Sequence, residues 1–313
     1  MNWFFIALIA YFLLAIANLI DKFLVEKVMG SARAYTFISC LMSSVVLVAS
    51  PWILSWPGLN GLFLDLFLGG VFAVALLLLY ASLRRGEASR ALVIIGGSTP
   101  VFSLPLSLLI LGDSFSTTQL LAIIFLIIGL LIVVFLPGKN SSFWDKWFAS
   151  LSLKDGYSRD SILLALGSGL AYALFFVGSK LAYEHQAFVS TFLWTRLGAV
   201  LAAMLLLFSA RARREIKNLF VKNPSRGRNQ GLVVGNQILG SAGFVLQNYA
   251  IYLGPVAIIN ALQGMQYAWI IIIGAVLSVL RPGLLRENVS RRSLIQKGAA
   301  IFIISIGLYF LSL

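Results

Sequence analysis

Apolar residues fill this chain in runs about twenty residues long, separated by short polar stretches, and ten such runs succeed one another from Trp3 to Leu313. Strand-like alternation is absent from them. Only helices and closed barrels satisfy their backbone polar groups in lipid, and a helix of that length crosses a hydrocarbon core about 30 Å thick. The runs therefore predict ten transmembrane helices, near residues 3–20, 34–54, 61–83, 91–111, 117–136, 162–181, 188–208, 231–253, 256–280 and 295–313. Two connections are longer. Residues 137–161 include Phe143-Trp144-Asp145-Lys146-Trp147-Phe148, whose aromatic and charged mixture suits an interfacial helix, and residues 209–230 are rich in Arg and Lys.

Composition narrows the class further. With 60% hydrophobic and 11% charged residues in 313 positions, ten spans leave no room for a sizeable soluble domain. Cys40 lies inside an apolar run and His185 in a short connection, each the sole residue of its type, which excludes a disulfide and a Cys/His metal centre. No cofactor is expected. The segment after Met1 has no basic region and its apolar run reaches Ile20 without a small-residue cleavage site, so it reads as an uncleaved first span. A formal charge of +13 would suggest nucleic acid in a soluble protein; here the basic residues flank membrane spans, where anionic headgroups are their partner.

Those charges are lopsided. Lys22, Lys27 and Arg33 follow the first run, Arg84, Arg85 and Arg90 the third, and Lys139 to Arg159 the fifth; Arg211 to Arg228 follow the seventh and Arg281 to Lys297 the ninth. Only Lys180 and Arg196 remain for the opposite side. Excess Lys and Arg marks cytoplasmic loops, so the charges predict both termini outside.

The two halves also resemble each other. Tyr80-Ala81-Ser82-Leu83, Gly86-Glu87-Ala88-Ser89 and Gly96 recur as Tyr249-Ala250-Ile251-Tyr252, Gly254-Pro255-Val256-Ala257 and Gly264, and Thr36-Phe37-Ile38 recurs as Thr191-Phe192-Leu193. Five spans per half is an odd number, so the copies would cross the membrane in opposite senses. That is the inverted-repeat plan of secondary transporters, with the binding site near the midplane between halves. The predicted organisation is a first five-helix repeat over 1–136, an interfacial linker over 137–161 and a second repeat over 162–313.

The stretch from Tyr80-Ala81-Ser82-Leu83 through Thr99-Pro100-Val101-Phe102 to Leu111-Gly112-Asp113-Ser114-Phe115-Ser116-Thr117-Thr118-Gln119, with Gly129 after it, resembles the EamA-like, ten-helix branch of the drug/metabolite transporter superfamily. In that pattern Asp113 stands where the family has Glu, and Glu287 is about a turn too far from Lys297. The resemblance implies a transporter, acting as an exporter by alternating access on small metabolites or drug-like compounds, in a multi-pass cell membrane of prokaryotic type. It also implies cytoplasmic termini, against the charge count.

Few residues offer chemistry. The acids are scattered, and no nucleophile–base pair or phosphate-binding loop is present, so an enzyme is not expected. Amides stand out instead. Asn236, Gly240, Gly243 and Gln247 fall on one helical stripe, and Asn260, Gln263, Tyr267 and Gly274 on another; both would face protein or a water-filled cavity. Two readings stand, cavity lining and interhelical hydrogen bonding of about 0.6 kcal/mol each. Arg196, about 12 Å into its span, either snorkels to the interface or supplies a cavity cation for an anionic solute. Lys180, at a span end, reads as a snorkelling residue. The resemblance adds Tyr11, Asn18 and Tyr172 as cavity candidates. Asp65 is the candidate proton site, and Gly231 with Gly235 reads as a close-approach pair. The expected partners are a small-molecule substrate and the bilayer. The alternatives are a lipid-flipping or lipid-modifying component and a non-transporting scaffold. Oligomeric state is not readable.

Overall fold

The computed structural model describes residues 2–85, 88–112, 116–134, 159–218, 226–280 and 291–312, and these are helical almost throughout. Five segments are long and apolar enough to cross a membrane: Trp3–Met29, Gly58–Arg85, Ala91–Ile110, Asp160–His185 and Phe188–Phe208. This is a multi-pass membrane protein. The linker segment 137–158, Asp113 and Glu287 lie outside the described residues.

The first span is longer than its apolar run. Helix α1 (Asn2–Phe23) continues past Ile20 and runs on as a π-helical turn, Leu24–Met29, until Gly30 takes the left-handed conformation, φ 63°, that ends it. Ser31 then caps α2 (Ala32–Ser43), its Oγ accepting from the Ala34 N–H at 3.2 Å. The second run is not one regular helix, because α2 passes into a 3₁₀ turn, Ser44–Ala49, and the short α3 (Ser50–Ile53).

Helix α4 (Gly58–Arg85) lies at the centre, packed against α2, against α7 (Arg159–His185) and against α8 (Phe188–Leu205). Glycine decides how near α4 and α8 come. A Cβ on Gly69 would sit 2.1 Å from the Thr195 carbonyl oxygen, and one on Gly198 would sit 2.4 Å from that of Leu66. The two backbones therefore touch, and no side chain larger than hydrogen fits. Gly231 and Gly235, by contrast, have nothing within 4 Å of an added Cβ, so the expected close-approach pair faces open space. Spacing alone could not tell which glycines meet a neighbour.

Helix α5 (Ala88–Ile110) carries Pro100 and Pro105, which remove two amide donors; just before them Ser98 and Thr99 turn their hydroxyls back onto the Ile95 carbonyl, at 3.0 and 2.7 Å. It packs on α6 (Thr117–Val134) and α7. Beyond α8, the amphipathic α9 (Ala210–Asn218) buries Ala212 and Ile216. Its Glu215 accepts from Ser31 at 2.6 Å and pairs with Arg33 at 3.3 Å and Arg211 at 3.2 Å, tying α9 to the start of α2.

Helix α10 (Arg226–Leu253) lies along α1, with Gly243 set against the Ala10 carbonyl and Leu14. The ninth run is broken: α11 (Val256–Leu262) and α12 (Gly264–Leu280) meet at Gln263, whose N–H bonds the Asn260 carbonyl three residues back. The expected stripe from Asn260 to Gly274 assumed one straight helix, and the tight turn interrupts it. Helix α13 (Arg291–Ser312) packs on α6. Lys180 reaches the span end of α10. It donates to the carbonyls of Ile251, Tyr252 and Gly254 at 3.4–3.5 Å, long bonds that complement the negative end of α10.

Candidate functional site

Between α1, α4, α7, α8 and α10 the packing leaves two neighbouring cavity lobes, of about 100 and about 60 Å³, whose walls share Leu14, Asn18, Leu79, Tyr172 and Phe244. Arg196 lines the wider lobe. Its residue is only 3% exposed, and its guanidinium stands 4.1 Å from the ring centre of Phe72, 4.8 Å from those of Phe192 and Phe244, and 5.9 Å from that of Phe175. The α4–α8 contact at Gly69 and Gly198 brings Phe72 and Arg196, each a few residues away, to the same height. Among the described residues no acceptor reaches Nε or Nη2.

The energetics of that arrangement are incomplete. Desolvated cation–π contacts contribute about 2 kcal/mol, whereas removing a charge from water costs several kcal/mol per ion. The aromatic rings orient the guanidinium without neutralising it, and an anion in the cavity would supply what they lack.

Around this cation the structure sorts the residues singled out by the sequence. Asn236, Asn18 and Tyr172 line the wider lobe; Gln247 and Gln263 line the narrower one, with Asn18 and Tyr172 on both. Gln266 joins the narrower lobe, and the Oε1 atoms of Gln263 and Gln266 are buried with no donor among the described residues. That lobe thus presents idle acceptors, and the wider lobe idle donors.

Tyr11 is fully buried, donates to the Ile259 carbonyl at 2.5 Å and lies 3.5 Å from Gln247 Nε2 as acceptor, so it supports the amide from behind. Asn260 turns its Nδ2 to Ser103 Oγ at 3.1 Å and joins α11 to α5. Neither lines the two lobes. The side chain of Tyr267 lies outside the described residues. Asp65 is fully buried, lines neither lobe, and has no hydrogen-bond donor on either carboxylate oxygen among the described residues.

Several functional candidates were missed. Phe72, Phe192 and Phe244 carry no signal in an apolar run, because a phenylalanine facing a cavity and one facing lipid look alike. Asp21 lies just past the end of the first apolar run, where a charge reads as interfacial, yet α1 continues and Asp21 is 7% exposed and lines the wider lobe. With it come Tyr35, Ser39, Tyr80 and Gln237, linked by hydrogen bonds from Gln237 Nε2 to Tyr35 Oη at 3.3 Å and Ser39 Oγ at 2.8 Å, and between Ser39 and Tyr80 at 3.2 Å.

Comparison with known proteins agrees with this architecture. No curated protein matches the chain. A solved structure described as "Crystal structure of protein" matches over 96% of this chain and 93% of that chain, with a TM-score of 0.55 and 15% identity, which is a likeness of fold. Residues 1–135 match the model of the EamA-like transporter family. The first half of the chain is therefore similar to the EamA-like transporters, which supports a place in the drug/metabolite transporter superfamily.

Proposed function

We propose that this protein exports small amphipathic metabolites or drug-like compounds that carry an anionic group, by alternating access, with the anion on Arg196. The observation that carries this reading is the buried guanidinium whose Nε and Nη2 have no acceptor among the described residues, although aromatic faces surround it. Guanidinium offers a planar pair of donors to a carboxylate or phosphate. The four phenylalanines suit an apolar or aromatic body, and the idle Gln263 and Gln266 acceptors suit N–H or O–H donors at its other end. Substrate contacts are assigned to Arg196, Asn18, Tyr172, Asn236, Gln247 and Gln263, with Tyr11 and Asn260 supporting them.

The ten-span, two-repeat organisation over 1–136 and 162–313 belongs to the same proposal. Several helix contacts support it: α4 with α7 matches α10 with α1, α5 with α7 matches α12 with α1, and α5 with α6 matches α12 with α13, although the extensive α4–α8 contact has only a slight counterpart between α10 and α2. The pairs α6–α13 and α2–α8 map onto themselves.

The test is a thermal-shift series on purified protein with aromatic carboxylates and phosphates against their neutral amides and alcohols. A ligand at a hundred times its Kd stabilises the folded state by about 2.7 kcal/mol. Anionic members should raise the melting temperature of the protein and leave Arg196→Ala unmoved. Stabilisation by the neutral analogues alone would remove the anion from the reading.

A further inference from the structure

Asp21 is the other charged residue in the wall of the wider lobe, and its surroundings differ from those of Arg196. Its Oδ1 accepts from the Tyr35 hydroxyl and from Asn236 Nδ2, the latter at 2.6 Å. Both described hydrogen bonds fall on that one oxygen, and among the described residues no donor reaches Oδ2. Among the described residues no ion pair includes Asp21. Lys22, next in the chain, turns away to the Leu83 carbonyl and to Glu26, which it meets at 3.2 Å. The remaining titratable groups that face the site are Tyr80 from α4, whose ring lies 4.6 Å from that of Tyr35, Tyr172 from α7, and Arg196 from α8 across the lobe. Asn236 is 4% exposed, and with its N–H group committed to Asp21 its Oδ1 is buried with no partner among the described residues.

The chemistry of this arrangement selects its ligand. A metal cation needs several oxygen lone pairs turned inward, whereas here an O–H and an N–H are turned inward and hold the carboxylate itself. One carboxylate oxygen remains, in a cavity within a membrane span, where an isolated charge is expensive. We propose that Asp21, oriented by Tyr35 and Asn236, is a proton-binding site in the wall of the transport cavity. A hydronium ion gives up one O–H bond and leaves as water while its proton adds to Oδ2, forming one O–H bond and taking the carboxylate from −1 to neutral. Tyr35 and Asn236 keep their hydrogens and go on donating to Oδ1.

Coupling then follows, and this step alone rests on the anionic cargo proposed above. An anion entering the lobe meets a like charge while Asp21 is ionised, and like charges that share one small cavity weaken binding by about tenfold. By linkage the anion raises the proton affinity of Asp21 by the same factor, so cargo and proton favour each other's binding.

The proton site is tested without any cargo, by infrared pH titration of the purified protein in lipid nanodiscs, following the carbonyl stretch of protonated carboxyl groups. One titrating band should be absent from Asp21→Asn and present in Asp65→Asn. In Tyr35→Phe, which keeps the ring and removes one donor to the ionised form, its midpoint should move up by about one pH unit, a tenfold gain in proton affinity. The proposal is overturned if Asp21→Asn leaves the spectra unchanged, if the band is lost with Asp65 instead, or if Tyr35→Phe leaves the midpoint in place. A failure of anionic ligands to bind at Arg196 would sink the cargo assignment and leave this titration untouched.

Discussion

Arg196 is held by aromatic faces and, among the described residues, by no carboxylate, so its positive charge stays available to whatever enters the cavity. Arg196→Ala should weaken an anionic ligand by about tenfold to a hundredfold, the range of a lost charge-assisted hydrogen bond, and Arg196→Lys should fail to restore it, because an ammonium is a point donor without the planar pair. Isothermal titration of the purified variants measures both. Gln263→Leu should reduce binding with membrane expression intact, whereas Asn260→Leu should lower the melting temperature, since Asn260 bonds Ser103 and does not line the two lobes. At this scale the sequence was legible where polarity interrupts apolarity: Arg196, Asn236, Gln247 and Gln263 stood out for that reason, and all four line the cavity. It was silent where the functional residue is itself apolar, as with Phe72 and Phe244. It misled at Asp21, because hydropathy marks where apolar residues stop and says nothing of where a helix stops.

At the scale of elements, the α4–α8 crossing leaves no space for a methyl group. Gly198→Ala should destabilise the protein by about 1–3 kcal/mol, as overpacking does, and Gly231→Ala, which meets open space, should have no such effect; thermal unfolding in detergent compares them. The link from α9 to α2 depends on pH. Burial alone would push the Glu215 carboxyl up, but the Ser31 hydrogen bond and the Arg33 and Arg211 charges outweigh it and hold the group below its usual range. A carboxyl depressed in the folded state stabilises fully above its unfolded pKa of about 4.3, and that contribution fades as pH falls through the lower folded value. The melting temperature should therefore exceed that of Glu215→Gln at pH 7, and the gap should close below about pH 4. Helix existence was readable from run length, but the break at Gln263 was not. Its neighbours are as apolar as any span, and a turn made by one backbone bond from Gln263 to Asn260 leaves no compositional mark.

For the whole molecule, the charge count and the family resemblance disagree about orientation. The lopsided basic loops predict 209–230 in the cytoplasm and both termini outside. A reporter active only in the cytoplasm should be silent at Leu313 and active within that loop; the reverse would restore the usual family orientation. The glycine contacts bear on motion. At Gly69 with Gly198, and again at Gly243 against α1, backbone meets backbone or nearly so, and such contacts cannot slide without climbing over a carbonyl. Under the proposed alternating access, helices α4 and α8 would then travel as one body and α1 and α10 as another, with the cavity as the seam between them. Arg196, Phe72 and Phe192 ride on the first body and Asp21, Asn236 and Phe244 on the second, so under the proposed alternating access the Phe72 and Phe192 contacts with the guanidinium would persist while those with Phe244, and the distance from cation to carboxylate, would change. Cross-linking α4 to α8 should leave counterflow in proteoliposomes unimpaired, and cross-linking α4 to α10 should arrest it.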